Sequence, residues 1–442
     1  MTRINFKGVK NFARFMSLGL LVAAASCDTD VINPGPIDAR FLDDPNAQAA
    51  MVNGAGRALS EALNWTGYTS AAIAREVHPS GSTGSFGITP EQQRGELLWD
   101  QVGTQWTTAH RARFMADEAI RRIQALESAD QDQTLLAQAH LYAGYTNRLL
   151  GEQMCQAVYD GGPAEANSDS HLQNAIEHFN SAASLGAGDI ATAAVAGRAS
   201  AHLMLGNWAS AVADAGTIPA GFTYSAKYFA IGDDTQSNRI YVAGKAQPYK
   251  AHSQIFTWIE QYNPETGGVA NTDPRVSWRV SGENGDAASS CCGVIAWNPQ
   301  TKYTNDDSPI ELSSYEEMQL ILAENEIMNN GDIGQGMSII NALRTAAGVA
   351  TEAVPATQAE AMTLLKREHA IEMWLEGRRL PAMRRWQASG TPGDLQPLEQ
   401  VSGDVAVGSH LSSRSLCFPI PESEVETNSN ISASNVIFVT ES

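Results

Sequence analysis

The chain has 442 residues, of which 43% are hydrophobic and 18% are charged. This is the composition of a globular protein, and it excludes a disordered chain and a collagen-like fibre. Lysine and arginine total 29 against 49 aspartate and glutamate residues, which gives a net charge of -20. A surface this acidic repels phosphate backbones and anionic lipid, so the composition argues against nucleic-acid binding and against a broad electrostatic membrane contact.

The amino terminus has the order of an export signal. Basic residues precede a short apolar run, 15–25, which ends in small residues before Cys27. This order predicts a secretory signal peptide over 1–26. The segment LVAAASC also resembles a bacterial lipobox, in which the cysteine is acylated after cleavage; an ordinary signal peptide beside an unrelated cysteine is the alternative. An acylated Cys27 would anchor the protein, because each buried methylene adds about 0.8 kcal/mol.

The mature chain is predicted to be one domain behind a tether. Residues 27–45 are acidic and interrupted by prolines, which is typical of an extended linker. The domain, 46–442, divides by pattern into three parts. They are a helical part over 46–218, a loop-rich insertion over 219–310, and helices with an extended closing segment over 311–442.

An internal repeat within the helical parts predicts hairpins of the tetratricopeptide type. A helix over 133–150 is followed by a second helix, and a helical stretch over 191–215 is broken by a glycine turn. A third copy begins at Tyr315. The second helix carries the small and aromatic residues that pack such hairpins, Ala175, Phe179 and Ala182. The segment 357–386 is predicted as one further amphipathic helix, so the fold class is all-α.

Four cysteines remain after the signal peptide. An even number in an exported chain permits disulfides, and four cysteines allow three connectivities. Metal binding is the less favoured alternative, because no CxxC pair is present. Structural disulfides are therefore expected among Cys155, Cys291, Cys292 and Cys417.

Aromatic residues in or beside loops are the candidate ligand contacts. An exposed ring can stack on the apolar face of a sugar, whereas core packing is the alternative for each of them. The candidates are Trp65, Tyr68, Trp99, Trp278, Trp297 and Tyr303.

Motifs of catalysis and cofactor binding are missing from the sequence. It contains no HExxH, no Gly-x-Ser-x-Gly elbow, no P-loop and no dinucleotide fingerprint. Asp233, Thr235, Ser237 and Asn238 alternate oxygen ligands as a calcium loop does, but the glycine and final glutamate of an EF-hand are missing. The sequence thus predicts no enzyme, no cofactor and no metal.

Several motifs occur in a fixed order between the lipobox-like cysteine and the carboxyl terminus. They include an Asp-Pro-Arg segment at 273–275, an Asn-x-x-Arg pair at Asn341 and Arg344, and the closing segment CFPIPESEVETNSNI. The segment REHAIEMWLEGRRLPAMRRW supplies Arg367, Glu368, Glu372, Glu376, Gly377, Arg378, Arg385 and Trp386. Together these motifs resemble the SusD/RagB family, the outer-membrane nutrient-binding lipoproteins best known from Bacteroides-like bacteria.

The resemblance implies a superhelix of tetratricopeptide-like hairpins on a lipid-anchored protein at the cell surface. It implies capture of an oligomeric nutrient, most often a glycan, and delivery to a SusC-like TonB-dependent outer-membrane transporter, on which the protein acts as a lid. The charged motif residues are expected to form ion pairs between helices; a clamp for a ligand carboxylate is the alternative.

Two other functional classes stay open. A surface glycoside hydrolase would release reducing ends and would lose activity when one carboxylate is changed. A tetratricopeptide scaffold would bind peptide tails and would have no affinity for small ligands.

Overall fold

A computed structural model describes residues 39–81, 84, 87–231, 235–246, 249–262, 273–286, 295–401 and 411–441. Residues 39–43 form a short 3-10 helix at the end of a first unit, and the chain from Asp44 onward forms a second, compact unit. The predicted signal peptide, Cys27 and most of the predicted tether lie outside the described residues.

Thirteen α-helices within these ranges confirm the predicted all-α class. The first seven are α1 (Gln48–Ile73), α2 (Pro90–Gln93), α3 (Gly103–Ala125), α4 (Gln133–Gln153), α5 (Asp169–Leu185), α6 (Asp189–Met204) and α7 (Trp208–Ala215). The others are α8 (Arg239–Gly244), α9 (Tyr315–Asn325), α10 (Ile333–Ala346), α11 (Gln358–Glu372), α12 (Arg379–Ala388) and α13 (Glu422–Thr427).

Helices α4 to α7 form two successive hairpins, as the repeat predicts. The side chain of Asp132 caps α4 by accepting the backbone N–H groups of Thr134 and Leu135. The ring of Phe179, on α5, is fully buried between α4 and α6. A Cβ added to Gly144 or Gly197 would lie 2.6 Å or 2.4 Å from that ring. Glycine at these two positions therefore lets the aromatic wedge fit between the helices.

The third hairpin packs on the second although the insertion separates them in sequence. Helix α9 continues through a π-helical turn, Glu326–Asn330, before α10 begins. Met318 and Ile321 of α9 join a buried cluster with alanines of α6 and α7. Small alanine side chains allow this close approach, so the hairpins form one stack.

Among the described residues, three two-stranded antiparallel sheets join segments that are distant in sequence. They pair β1 (His78–Pro79) with β3 (His252–Ser253), β2 (Thr223–Ala226) with β4 (Ile310–Ser314), and β5 (Arg414–Ser415) with β6 (Thr440–Glu441). The β2–β4 pair joins the two ends of the predicted insertion. The insertion is therefore tied at its base to the helical stack.

The predicted single helix over 357–386 is wrong, because the chain breaks between α11 and α12. Leu375 and Gly377 adopt left-handed backbone angles, with φ of 62° and 72°. The N–H of Leu375 donates to the buried carboxylate of Glu76 at 2.9 Å. A Cβ at Gly377 would lie 3.1 Å from the Cα of Gly67 on α1. Contacts with α1 and with the turn that follows it thus impose a break that the local helical pattern does not reveal.

Within the described ranges, no helix combines the length and the apolar character needed to cross a membrane.

Candidate functional site

Four of the six predicted ligand aromatics are buried. Tyr68, Trp278, Trp297 and Tyr303 are between 1% and 7% exposed. The indole N–H groups of Trp297 and Trp278 donate to the carbonyls of Gly244 and Ile259, at 3.0 Å and 3.2 Å. The Tyr303 hydroxyl donates to the carbonyl of Leu375 at 3.1 Å. Since these rings are enclosed and their polar atoms are used within the protein, they cannot offer a free face to a ligand in this structure.

Tyr68 and His252 form a neutral buried pair. The Tyr68 hydroxyl lies 3.0 Å from Nε2 of His252, and the two rings meet edge to face. Burial raises the pKa of Tyr68, and the nearby cation of Arg239 opposes this effect. Burial also lowers the pKa of His252 to about 3. Both side chains are therefore uncharged at neutral pH and serve the packing between α1 and β3.

Trp65 is half-buried on α1 and is backed by a cation. The guanidinium carbon of Arg239 lies 3.6 Å from the centre of the Trp65 ring and 5.7 Å from that of Tyr68. Arg239 itself is 2% exposed. A guanidinium over an aromatic face is attractive, so this contact fixes the orientation of the indole while part of the ring stays accessible.

An asparagine on α1 positions Arg239. The Asn64 side chain accepts the backbone N–H of Arg239 at 3.0 Å and donates to the carbonyl of Ser237 at 2.8 Å. Asn238 caps α8 by accepting the N–H of Tyr241. Ser237 and Asn238, two of the four residues of the calcium-like pattern, therefore form loop and cap hydrogen bonds; Asp233 lies outside the described residues.

Two exposed apolar side chains lie on the segment that leads to Arg239. Phe229 is 48% exposed and Ile231 is 60% exposed. The backbone N–H of Phe229 donates to the carbonyl of Gln236, and the Ser237 hydroxyl donates to the carbonyl of Phe229. We refer to Trp65, Gly87, Phe229, Ile231 and Arg239 as the Trp65 face. The sequence analysis missed all of these except Trp65; the only sequence signal is the run YFAI within a polar segment.

Gly87 completes the Trp65 face at the edge of the indole. Its φ is 81°, and an added Cβ would lie 2.7 Å from Cζ3 of Trp65. We expect Gly87→Ala to destabilise the fold by about 1–2 kcal/mol, because a left-handed conformation disfavours a side chain, and to displace the ring. Urea unfolding and tryptophan fluorescence measure the two effects.

Gly206→Ala is the matched control for this variant. Gly206 has a similar φ of 74°, but its added Cβ would meet no described atom within 4 Å. The control is expected to lose comparable stability and to leave the Trp65 environment unchanged. Equal fluorescence changes in the two variants would contradict the packing described for Gly87.

Trp99 is half-buried and lies apart from α1 in sequence. It opens a 3-10 helix, Trp99–Gln101, which precedes α3 and packs beside α13. Its ring remains a proposed ligand contact.

The charged motif residues form a network of ion pairs. The Glu368 carboxylate is fully buried and accepts from Arg275, Arg344 and Arg367 at 2.9 Å, 2.5 Å and 3.0 Å. Arg385 binds Glu324 with two hydrogen bonds, of 2.8 Å and 2.6 Å. Since these guanidinium groups are already paired with carboxylates of the protein, the geometry favours a role in holding segments of the fold together over a role in binding a ligand carboxylate.

A polar cleft of about 370 Å³ opens beside this network. Its lining includes Arg275, Lys302, Glu372 and Glu376. Burial raises the pKa of Glu372 to about 7 and that of Glu376 to about 8, although Arg275 and Lys302 oppose the two shifts. Both cations contact these carboxylates at 2.6 Å, but Glu311 and Glu316 also line the cleft, so acidic side chains outnumber the cations.

The structure joins Cys155 to Cys417 in a disulfide. This pairing is one of those that four cysteines allow, and it links the end of α4 to the closing segment. Cys291 and Cys292 lie outside the described residues.

Comparison with solved structures shows the fold. A SusD-like protein of Bacteroides fragilis NCTC 9343 aligns with a TM-score of 0.62 at 11% identity, covering 89% of this chain and 97% of that one. A SusD-like carbohydrate binding protein of Bacteroides vulgatus ATCC 8482 gives 0.55 at 16% identity, covering 78% and 84%. A laminarin binding SusD-like protein gives 0.52 at 11% identity, covering 87% and 97%.

Comparison with known sequences matches a smaller part of the chain than comparison with structures. No curated protein matches the chain. The model of the SusD family matches residues 299–437, which contain the Asn-x-x-Arg pair, the charged motif and the closing segment. Within these residues the chain matches the SusD family, and the described chain as a whole shares the fold of SusD-like proteins.

Proposed function

We propose that this protein binds an oligosaccharide at the Trp65 face and does not cleave it. The observation that carries the proposal is the partly exposed indole of Trp65 on α1, which Arg239 holds in place at the start of α8, after the loop that carries Phe229 and Ile231. Loops on a rigid scaffold are common positions for binding residues. Two proteins of the same fold are described as carbohydrate binding and laminarin binding, which supports a glycan as the ligand class.

The side chains of the Trp65 face are suited to binding an oligosaccharide without cleaving it. Its side chains are aromatic, apolar and cationic, and none is a carboxylate that could act as a general acid or nucleophile. An oligosaccharide offers apolar ring faces to Trp65 and Phe229 and hydroxyl groups to polar neighbours. A surface glycoside hydrolase is therefore the less favoured alternative.

The proposal extends to delivery. We infer that Cys27 carries a lipid that holds the protein at the outer membrane, and that a TonB-dependent transporter receives the ligand. The order of the lipobox-like segment and the family motifs along one chain supports this inference. The stacked hairpins provide an extended helical surface for the transporter, while the loops that join α1, α8 and the insertion provide the ligand face.

Trp65→Ala is expected to weaken oligosaccharide binding by about 2 kcal/mol, or roughly 30-fold in Kd, because a central aromatic contact dominates such sites. Trp65→Phe keeps a ring and should retain most of the affinity. Isothermal titration with a panel of neutral oligosaccharides, including laminarin fragments, measures both.

Trp208→Ala is the control for loss of a half-buried tryptophan. Trp208 begins α7 and lies beside Arg385, with 5.8 Å between the guanidinium carbon and the ring centre. Its removal should leave the affinity unchanged. Equal affinities of Trp65→Ala and the unmodified protein for every glycan bound would contradict the Trp65 face as the site.

A further inference from the structure

A buried cluster of unsatisfied polar groups lies where the end of α1 meets the loop after β3 and the start of β5. Buried polar atoms without a hydrogen bond occur at several places in the described residues, and five of the side chains that carry them belong to the segments that meet here. Their unsatisfied atoms are Nε of Arg75, both amide atoms of Gln254, Nε1 of Trp258, Nε2 of Gln396 and Nε of Arg414. Buried polar groups are normally satisfied, so a concentration of exceptions calls for an explanation.

Contacts between the backbone segments bring these side chains together. Nη2 of Arg75 donates to the carbonyl of Phe256, between Gln254 and Trp258, at 3.0 Å. The 3-10 helix Trp258–Tyr262 packs against the 3-10 helix Pro397–Glu399, and Gln261 donates to Oε1 of Gln396 at 2.8 Å. Arg414 donates to the carbonyl of Glu399. The orphaned groups therefore occupy one region rather than five separate ones.

The cluster has an excess of positive charge. In the described part of the chain, no carboxylate lies within ion-pair distance of Arg75, which is 2% exposed. Its chain neighbour Glu76 points elsewhere, to the N–H of Leu375. Burial lowers the pKa of Arg75 to about 10, and repulsion from Arg414 adds to this effect.

The carboxylates around Arg414 are engaged on other atoms. Glu441 contacts Nη1 of Arg414 at 3.1 Å and leaves Nε unsatisfied. The Glu399 carboxylate is held by Arg379 through two bonds, of 2.7 Å and 2.6 Å. The region thus contains two buried guanidinium groups and several free N–H donors, with too few acceptors. A buried cation without a partner is strongly disfavoured unless a counter-charge is present.

Backbone strain coincides with the cluster. Arg75 and Phe256 both adopt left-handed angles, with φ of 62° and 60°, although neither is glycine. Such conformations persist where surrounding contacts determine them, and they concentrate at functional positions. The Phe256 ring projects from this strained loop and is 39% exposed.

We propose that Arg75, Gln254, Trp258, Gln396 and Arg414 form an anion site that binds one small inorganic anion of halide size. The free N–H donors and the two cations favour a negatively charged ligand, and the near-complete burial of Arg75 and Arg414 favours a small one. The anion supplies the missing counter-charge and acceptor, and it stabilises the loop that carries Phe256. This site is independent of the Trp65 face and of the proposed function.

Thermal unfolding of the full chain in sodium bromide and in sodium gluconate at equal ionic strength tests the proposal. Gluconate is too large for the enclosed site. For each protein we compare the Tm in bromide with the Tm in gluconate. This difference should be about 2 °C larger in the unmodified protein than in Arg75→Met, because a ligand stabilises only the state that binds it. Arg94→Met, which removes an exposed partner of Glu91, should keep the full bromide effect.

Two results would overturn the anion site. One is an equal response of the unmodified protein and Arg75→Met to bromide. The other is a higher Tm of Arg75→Met than of the unmodified protein in both salts. That result would mean that Arg75 is buried without any counter-charge, because its removal would then remove the cost of burying an unpaired cation. If Arg75→Met does not fold, anomalous scattering from bromide-soaked crystals replaces it: a peak in contact with Arg75 and Arg414 supports the site, and its absence refutes it.

Discussion

Replacing Glu368 by alanine is expected to destabilise the protein by about 3–5 kcal/mol, the range for removing one partner from a buried ion pair. Three guanidinium groups, of Arg275, Arg344 and Arg367, converge on this fully buried carboxylate. They come from the insertion, α10 and α11, so the loss would loosen all three segments. Denaturant unfolding followed by circular dichroism measures the change.

Glu118→Ala is the matched control. Glu118 accepts from two arginines, Arg121 and Arg122, but its side chain is partly exposed on α3. Exposed pairs contribute little, so this variant should lose less than about 1 kcal/mol. A Glu368→Ala protein that is as stable as Glu118→Ala would show that the motif charges do not hold the fold together.

Removing the Cys155–Cys417 disulfide should cost about 2–5 kcal/mol. The bond joins residues 262 positions apart, so it restricts the unfolded chain strongly. It also ties the closing segment to the end of α4, where the N–H of Cys155 donates to the carbonyl of Phe418 at 2.9 Å. The double variant Cys155→Ala/Cys417→Ala should therefore unfold at lower denaturant concentration.

A reductant separates this effect from lost packing. Reduction should destabilise the unmodified protein and leave the double variant unaffected. An unmodified protein whose unfolding midpoint is the same with and without reductant would contradict a stabilising role for this disulfide.

The helical scaffold could be predicted because its signals are local. Ala175, Phe179 and Ala182 recur at helical spacing within one segment, and all three are fully buried in α5. The break after α11 could not be predicted, because Gly67 on α1 and Glu76 in the turn after α1 impose it. A left-handed leucine within an apolar helical pattern has no signature in the sequence.

Which aromatic residues are accessible to a ligand could be predicted even less well than the break after α11. Trp278 and Trp297 lie in irregular, polar segments, yet their indoles are buried against carbonyls 19 and 53 positions away in the chain. Trp65 and Trp99 keep part of their rings accessible, and Arg239, the partner of Trp65, is placed by Asn64 across 175 positions. Loop composition predicts that aromatic residues are present, but long-range hydrogen bonds decide which of them remain exposed.

Co-purification from native membranes tests the central claim, that this protein captures nutrients for an outer-membrane transporter. The tagged protein would be extracted in mild detergent, and its partners would be identified by mass spectrometry. We predict a stoichiometric TonB-dependent β-barrel receptor, together with a lipid on Cys27. An acylated protein that is recovered without any such receptor would contradict delivery to a transporter.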